Sequence, residues 1–220
     1  GFAYFKPGPE LEGRAALTGL PAGRDVTSMA ALAVKIDNHP AAQPQWNLGD
    51  ADLVFEEIVE GTTRFIAVFQ TVMPDRIGPV RSARTSDIDI LASLNRPILA
   101  WSGGNTGVTL AVRGAHIYGW LSNLSAGSSD CFYRSGLKGA PHNLLLDPIC
   151  ARDSATLAGP ARPVFTHDVD AVPDVAGRRE SRFTVSLTGI DVTWRWDTST
   201  GRYVRNVRGG IHTDMDGDVV

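Results

Sequence analysis

Lysine is scarce in this chain of 220 residues: 3 Lys stand against 18 Arg. Alanine, glycine and proline are abundant, the usage that a GC-rich genome imposes. With 18 Arg in 220 residues, about one in twelve, the five Arg between 61 and 100 are hardly above expectation. Counting arginines therefore identifies no site. Cysteine is limited to Cys131 and Cys150, neither in a CxxC motif, which argues against structural zinc and thioredoxin-type chemistry. The pair permits either one disulfide across a loop of roughly twenty residues or two buried thiols. No apolar run approaches the roughly eighteen residues that a membrane-spanning helix needs. Net charge is only −3, so nothing points to nucleic acid or an anionic membrane as partner. GxSxG, HExxH and Walker patterns are absent. "GGNTG" lacks dinucleotide-binding spacing, and "HTDMDGD" has Gly217 misplaced for a calcium loop, so both read as turns. No cofactor or metal is expected. The opening "GFAYFKPGPE" has neither the basic nor the apolar region of a signal peptide. Because it begins with Gly and not Met, the chain is expected to be a trimmed piece, and the missing leader says little about localisation.

What is present is an ordinary folded composition, 43% hydrophobic and 20% charged, enough for one large domain or a medium domain plus a small one. Residues 1–28 read as an irregular lead-in. "LAVKID" (32–37) alternates as a strand, with Leu32, Val34 and Ile36 on one face and Lys35 and Asp37 on the other. "DLVFEEIVE" and "TRFIAVFQTV" flank Gly61-Thr62 as a hairpin, which predicts Val59 opposite Arg64 and makes Glu57 and Arg64 diagonal neighbours. A helix is expected over about 83–95, capped by Ser82 or by Ser86 with Asp89. "RPILAWSGG" follows as a buried strand, "NTGVTLAVRG" as a short helix and "HIYGW" as a further strand. Residues 122–141 read as an exposed excursion, and "HNLLLDPICARDSATLAG" as a strand end leading into a helix. The stretch 160–178 is Pro-rich, and everything after it is β in pattern. The fold class expected is α+β, or mixed α/β: an N-terminal α/β domain with a mixed sheet (1–165) and a smaller, mostly β domain (166–220).

The polar constellations suggest a site. In "GPVRSAR", Gly78-Pro79 sets a turn, and Arg81 and Arg84 sit at the mouth of the next helix, where a carboxylate, phosphate or sulfated group would bind. The alternative is an ion pair of Arg84 with Asp87 or Asp89. Glu57 with Arg64 on an apolar strand face reads equally as a structural pair or a site wall. "KIDNHP" ends a strand in Asp37, Asn38 and His39; Asp37 and His39 are usable as an acid–base pair, as part of a metal site, or to satisfy the backbone of a turn. "GAPHN" supplies His142 and Asn143.

Taken in order, "VKIDNHPAAQPQ", "ADLVFEEIVEGTTRFIAVFQ", "IGPVRSARTSDIDI", "KGAPHN" and "VTWRWDTSTGRYVRNVRGGIHTDMDG" resemble the YerB-like family of bacterial lipoproteins, a domain of unknown function. The resemblance spans 34–217. It implies an α/β domain followed by a β domain, an extracytoplasmic setting reached through a lipid anchor, and an anchor and last strand lying outside this chain. It makes Asp37, Asn38, His39, Glu57, Arg64, Arg81, Ser82, Arg84, His142 and Asn143 the site candidates, and favours a Cys131–Cys150 disulfide. The expected function is binding of an anionic or carboxylate-bearing ligand, such as a cell-wall fragment, in an Arg-lined cleft. The alternatives are a hydrolase or transferase with His39 or His142 as base, the Arg stabilising an oxyanion and a nucleophile such as Ser82, and an interaction scaffold.

Overall fold

β1 (Leu32–Asp37) is central to a five-stranded mixed sheet. It pairs antiparallel with β3 (Thr62–Phe69) on one side and parallel with β4 (Ile98–Trp101) on the other. β2 (Leu53–Val59) flanks β3, and β5 (Ser122–Ser125) runs parallel to β4, giving the order β2-β3-β1-β4-β5. The computed structural model describes residues 13–167, 180–187 and 189–220. The "PGPE" breaker and the Pro-rich stretch from 168 lie outside the described residues, and the expected 165/166 division borders that stretch.

Both faces of the sheet are covered. On one, Ala33, Ile66, Val68 and Leu99 pack against α2 (Ser86–Leu91) and α3 (Thr106–Ile117), which contributes Val108, Val112 and Ala115. On the other, Leu32, Val34, Phe65, Phe69 and Ala100 pack against the ribbon of β6 (Phe132–Arg134) and β7 (Leu144–Leu146) and against α4 (Pro148–Asp153). Every residue of β1 is consequently buried, including those that alternation placed on a polar face. A disulfide joins Cys131, beside β6, to Cys150 in α4. A short helix, α1 (Arg24–Ser28), interrupts the expected lead-in.

The C-terminal part is a four-stranded antiparallel sheet of β8 (Arg182–Leu187), β9 (Ile190–Asp197), β10 (Arg202–Val207) and β11 (Gly210–Ile211). No described helix is long and apolar enough to cross a membrane.

Several local expectations need correction. The hairpin turn is Glu60-Gly61, both at positive φ, so Val59 pairs with Thr62 and Glu57 lies directly opposite Arg64. The helix after "GPVR" starts later than expected, at Ser86 with Thr85 as N-cap, and runs on through a 3-10 turn, Ala92–Leu94; neither Ser82 nor Ser86 caps it. Instead the Asp87 carboxylate accepts the Arg84 N–H at 2.9 Å. "HI" of "HIYGW" ends α3, because its stripe Val108, Val112, Ala115 carries the helix onward. The strand β5 lies in the presumed excursion.

Candidate functional site

Asp37 ends β1 and is 3% exposed. The segment 77–81 delivers its partners. Asp37 N–H donates to Pro79 O, Arg81 N–H to Lys35 O and Val80 N–H to Leu144 O, so this segment ties β1 to β7. The approach demands Gly78: a Cβ there would lie 2.7 Å from Leu145 Cδ2 and 2.8 Å from the Leu144 carbonyl oxygen. "GPVR" and "APHN" are thereby brought to the end of one strand.

Three groups converge on the Asp37 carboxylate. His142 Nδ1 lies 2.8 Å from Oδ2, Arg81 Nε lies 3.1 Å from the same oxygen, and the His39 backbone N–H donates to Oδ1 at 3.0 Å. The Arg81 contact is an ion pair without hydrogen-bond geometry, so its Nε–H is buried and unpaired. The His39 ring stacks on His142, centroids 4.8 Å apart, and its Nδ1 accepts the Ala41 N–H at 3.1 Å to cap a 3-10 turn, Pro40–Ala42. Asp37, His39, Arg81 and His142 therefore form one cluster.

Of the other candidates, Glu57, Arg64, Arg84 and Asn143 are engaged elsewhere. Glu57, although it faces Arg64 across the hairpin, bonds Lys35 Nζ through one oxygen and Ser86 Oγ at 2.7 Å through the other. Lys35 also reaches Asp87 at 2.7 Å; burial lowers its pKa to about 8, with Asp87 partly offsetting the shift. Arg64 Nη1 donates to Ser82 O at 3.2 Å, and Arg84 Nη2 to Glu60 at 2.9 Å. Neither Asp87 nor Asp89 is the side-chain partner expected for Arg84. Burial, followed by the nearby Arg84 and Arg81 guanidiniums, makes Arg64 less basic, so the three cations share one neighbourhood. Ser82 Oγ lies 3.0 Å from where a Gly103 Cβ would sit. Asn143 accepts from Arg134 Nη1 at 2.7 Å and holds the β6–β7 ribbon.

Asn38 belongs to a second network. Its Nδ2 donates to Thr63 Oγ1 at 2.7 Å and to Glu56 at 3.3 Å. Both Glu56 oxygens accept from Arg205 Nη2, at 2.8 and 2.9 Å. Arg205 Nη1 donates to His212 Nδ1 at 2.8 Å. Because a guanidinium can only donate, that nitrogen is unprotonated, and His212 Nε2–H donates to Gln45 Oε1 at 2.8 Å. Gln45 Nε2 then donates to Asp37 O. Burial, reinforced by the Arg205 charge, pushes His212 down to about 4. Arg205, His212 and Gln45 are functional candidates that residue spacing did not suggest. Lys138 is another: its ammonium donates to the Ala42 and Pro44 carbonyls and sits 4.3 Å from the Trp46 ring centroid. Burial lowers its pKa to about 8, opposed by Asp37.

A depression of about 610 Å³ is walled by Trp101–Gly104, Ser125–Gly127, Phe132–Arg134 and Leu144, with Asp37, His39, Arg81 and His142 outside its lining. It lies at the carboxyl ends of parallel strands β4 and β5, where open α/β sheets place ligands. One backbone bond links the two, Ser102 N–H to Arg81 O, and Arg134 in its wall bonds Asn143, the residue after His142. Among the described residues no group of three or more His, Cys, Asp or Glu is placed to hold a metal ion.

Residues 17–160 match the family described as a protein of unknown function (DUF3048), N-terminal domain. The chain belongs to this family. It is 32% identical over 212 residues to "Putative lipoprotein YerB" of Bacillus subtilis, covering 92% of this chain and spanning 62% of that protein's length. The crystal structure of the YerB protein from Bacillus subtilis superposes with a TM-score of 0.77 at 28% identity, covering 94% of this chain and 71% of that one. The motifs that meet at Asp37 all lie inside the matched 17–160 segment, whereas Arg205 and His212 lie beyond it.

Proposed function

We propose that this chain binds a small carboxylate- or phosphate-bearing ligand at the Asp37 cluster, with Arg81 and His142 as its polar anchors. The observation that carries the reading is the Arg81 guanidinium: it touches Asp37 off-line, keeps an unpaired Nε–H, and shares its neighbourhood with Arg64 and Arg84. A bound anion on the partly exposed face of the Arg81 guanidinium would relieve the mutual repulsion of these cations. The relative's description as a lipoprotein supports action outside the cytoplasmic membrane, where carboxylate-bearing wall fragments are natural ligands. The Arg-lined cleft narrows to Arg81, since Arg84 holds Glu60 and Arg64 holds a carbonyl.

The test is titration with citrate, acetate and phosphate, followed by amide shifts in two-dimensional NMR. Saturable shifts at Arg81, Ser102 and His142 that disappear in Arg81→Ala support the reading. Identical responses in wild type and variant, or none in either, would sink it.

A second reading rests on the 2.8 Å contact between Asp37 and His142. A carboxylate that holds Nδ1–H leaves Nε2 as a base able to take a proton from water or a hydroxyl. In that reading the anchored ligand is hydrolysed. Release of product from a wall-fragment or ester panel, abolished by His142→Gln but not by Ser82→Ala, would favour activated water over a serine nucleophile.

A further inference from the structure

The C-terminal sheet has two unlike faces. Phe183, Val192, Trp194, Trp196, Tyr203 and Arg205 occupy one, of which Val192 and Arg205 are buried. The other carries Arg182 and Arg195 as direct cross-strand partners, with Thr193 paired to Asn206 in the next row. Like charges placed directly opposite on one sheet face are destabilising, and their Cβ atoms lie only about 5 Å apart. Arg208 joins them around a shallow depression of about 500 Å³, whose lining includes Thr193, Asn206 and a single acid, Asp191. That acid already accepts the Ser186 hydroxyl at 2.5 Å. All three arginines are exposed, and no carboxylate among the described residues engages them.

We propose that this face is a docking site for a linear polyanion bearing phosphate groups at intervals. Charge complementarity argues for it: the chain as a whole carries −3, yet here three cations surround one engaged acid, with hydroxyl and amide donors between them. The opposite placement of the aromatics decides what kind of polyanion. A membrane-docking face would set apolar anchors beside its cations, and a base-stacking groove would interleave rings with them. Here Phe183, Trp196 and Tyr203 point the other way. The ligand is therefore read through its charge and its hydrogen-bonding oxygens. This site is separate from the Asp37 cluster and does not depend on it.

The experiment is fluorescence anisotropy of end-labelled inorganic polyphosphate, at low and at physiological salt, with wild type, Arg81→Ala, and the triple variant Arg182→Gln/Arg195→Gln/Arg208→Gln. A parallel arm measures co-sedimentation with phosphatidylglycerol–phosphatidylcholine vesicles. Wild type and Arg81→Ala should bind polyphosphate alike and lose affinity with added salt, while the triple variant binds roughly tenfold or more weakly. Circular dichroism melting of the triple variant serves as the folding control, since none of the three side chains has a carboxylate partner among the described residues to lose. Undiminished binding by the triple variant, no binding by wild type at low salt, or binding to vesicles without polyphosphate would each overturn the proposal.

Discussion

Asp37 and His142 stand 105 residues apart in sequence, yet their carboxylate and imidazole meet at 2.8 Å. The contact exists because segment 77–81 is bonded to β1 on one side and to β7 on the other. Among the described residues Asp37 is the one ion partner of both Arg81 and His142, so its loss should be felt in stability as well as binding. Asp37→Ala is expected to cost about 2–3 kcal/mol, because it leaves the buried Arg81 Nε–H, the His142 ring and the His39 N–H without the carboxylate they share. Asp37→Asn, which keeps the shape, should cost about 1–2 kcal/mol. Urea unfolding of both variants measures the difference, and equal costs would show that the charge is immaterial.

Arg205 is 2% exposed and grips Glu56 across the seam between the two sheets. Removing one member of a buried pair leaves the other uncompensated. Arg205→Ala should therefore destabilise by about 3–5 kcal/mol, and Glu56→Gln by less, since the amide still accepts one bond. The unfolding midpoints of the two variants, taken with the same denaturant, rank them.

Acid should loosen the same seam. His212 has its folded pKa depressed to about 4 from an ordinary 6.5. Between those values the unfolded chain binds the extra proton, so stability falls as pH drops from 6.5 toward 4. The contribution present above pH 6.5 is about 3 kcal/mol. His212→Gln should flatten that slope while lowering neutral-pH stability. Thermal melts at half-unit pH steps provide the comparison, and an unchanged slope would assign the acid sensitivity to other groups.

The Cys131–Cys150 bridge joins residues 19 apart. On the chain-entropy account, Cys131→Ser/Cys150→Ser should lose about 3 kcal/mol. Urea midpoints of the two proteins test this, and the wild type with reductant should match the double variant.

Much of the N-terminal sheet was legible because its strands are long and patterned. The β2–β3 hairpin follows from alternation and Gly61, yet its register moved by two residues: the turn took Glu60 as its first positive-φ position. β5 escaped notice because "SNLS" contains one apolar residue and borrows its strand character from β4. At the site, Asp37, His39, Arg81 and His142 stood out as polar residues at turns and strand ends. Their convergence could not be read, because it depends on contacts across the whole domain. Lys35 was passed over as a solvent-facing residue of an alternating strand. Its burial becomes intelligible only once β1 lies between β3 and β4 with α2 above it. The Glu57–Arg64 pairing was plausible across the hairpin, but Lys35 and Ser86 outcompete Arg64 for the carboxylate. Arg205 and His212 sit in a stretch whose pattern reports only β structure.

The relay from Arg205 through His212 and Gln45 to the Asp37 carbonyl gives the far end of the chain a hand in shaping the pocket. The strand that carries the candidate carboxylate is buttressed from behind by residues translated some 170 positions later. A fragment ending before β8 would keep every residue of the Asp37 cluster and still expose Glu56 and Gln45 to water. For this architecture the small sheet is a keystone, and the geometry at Asp37 belongs to both sheets jointly.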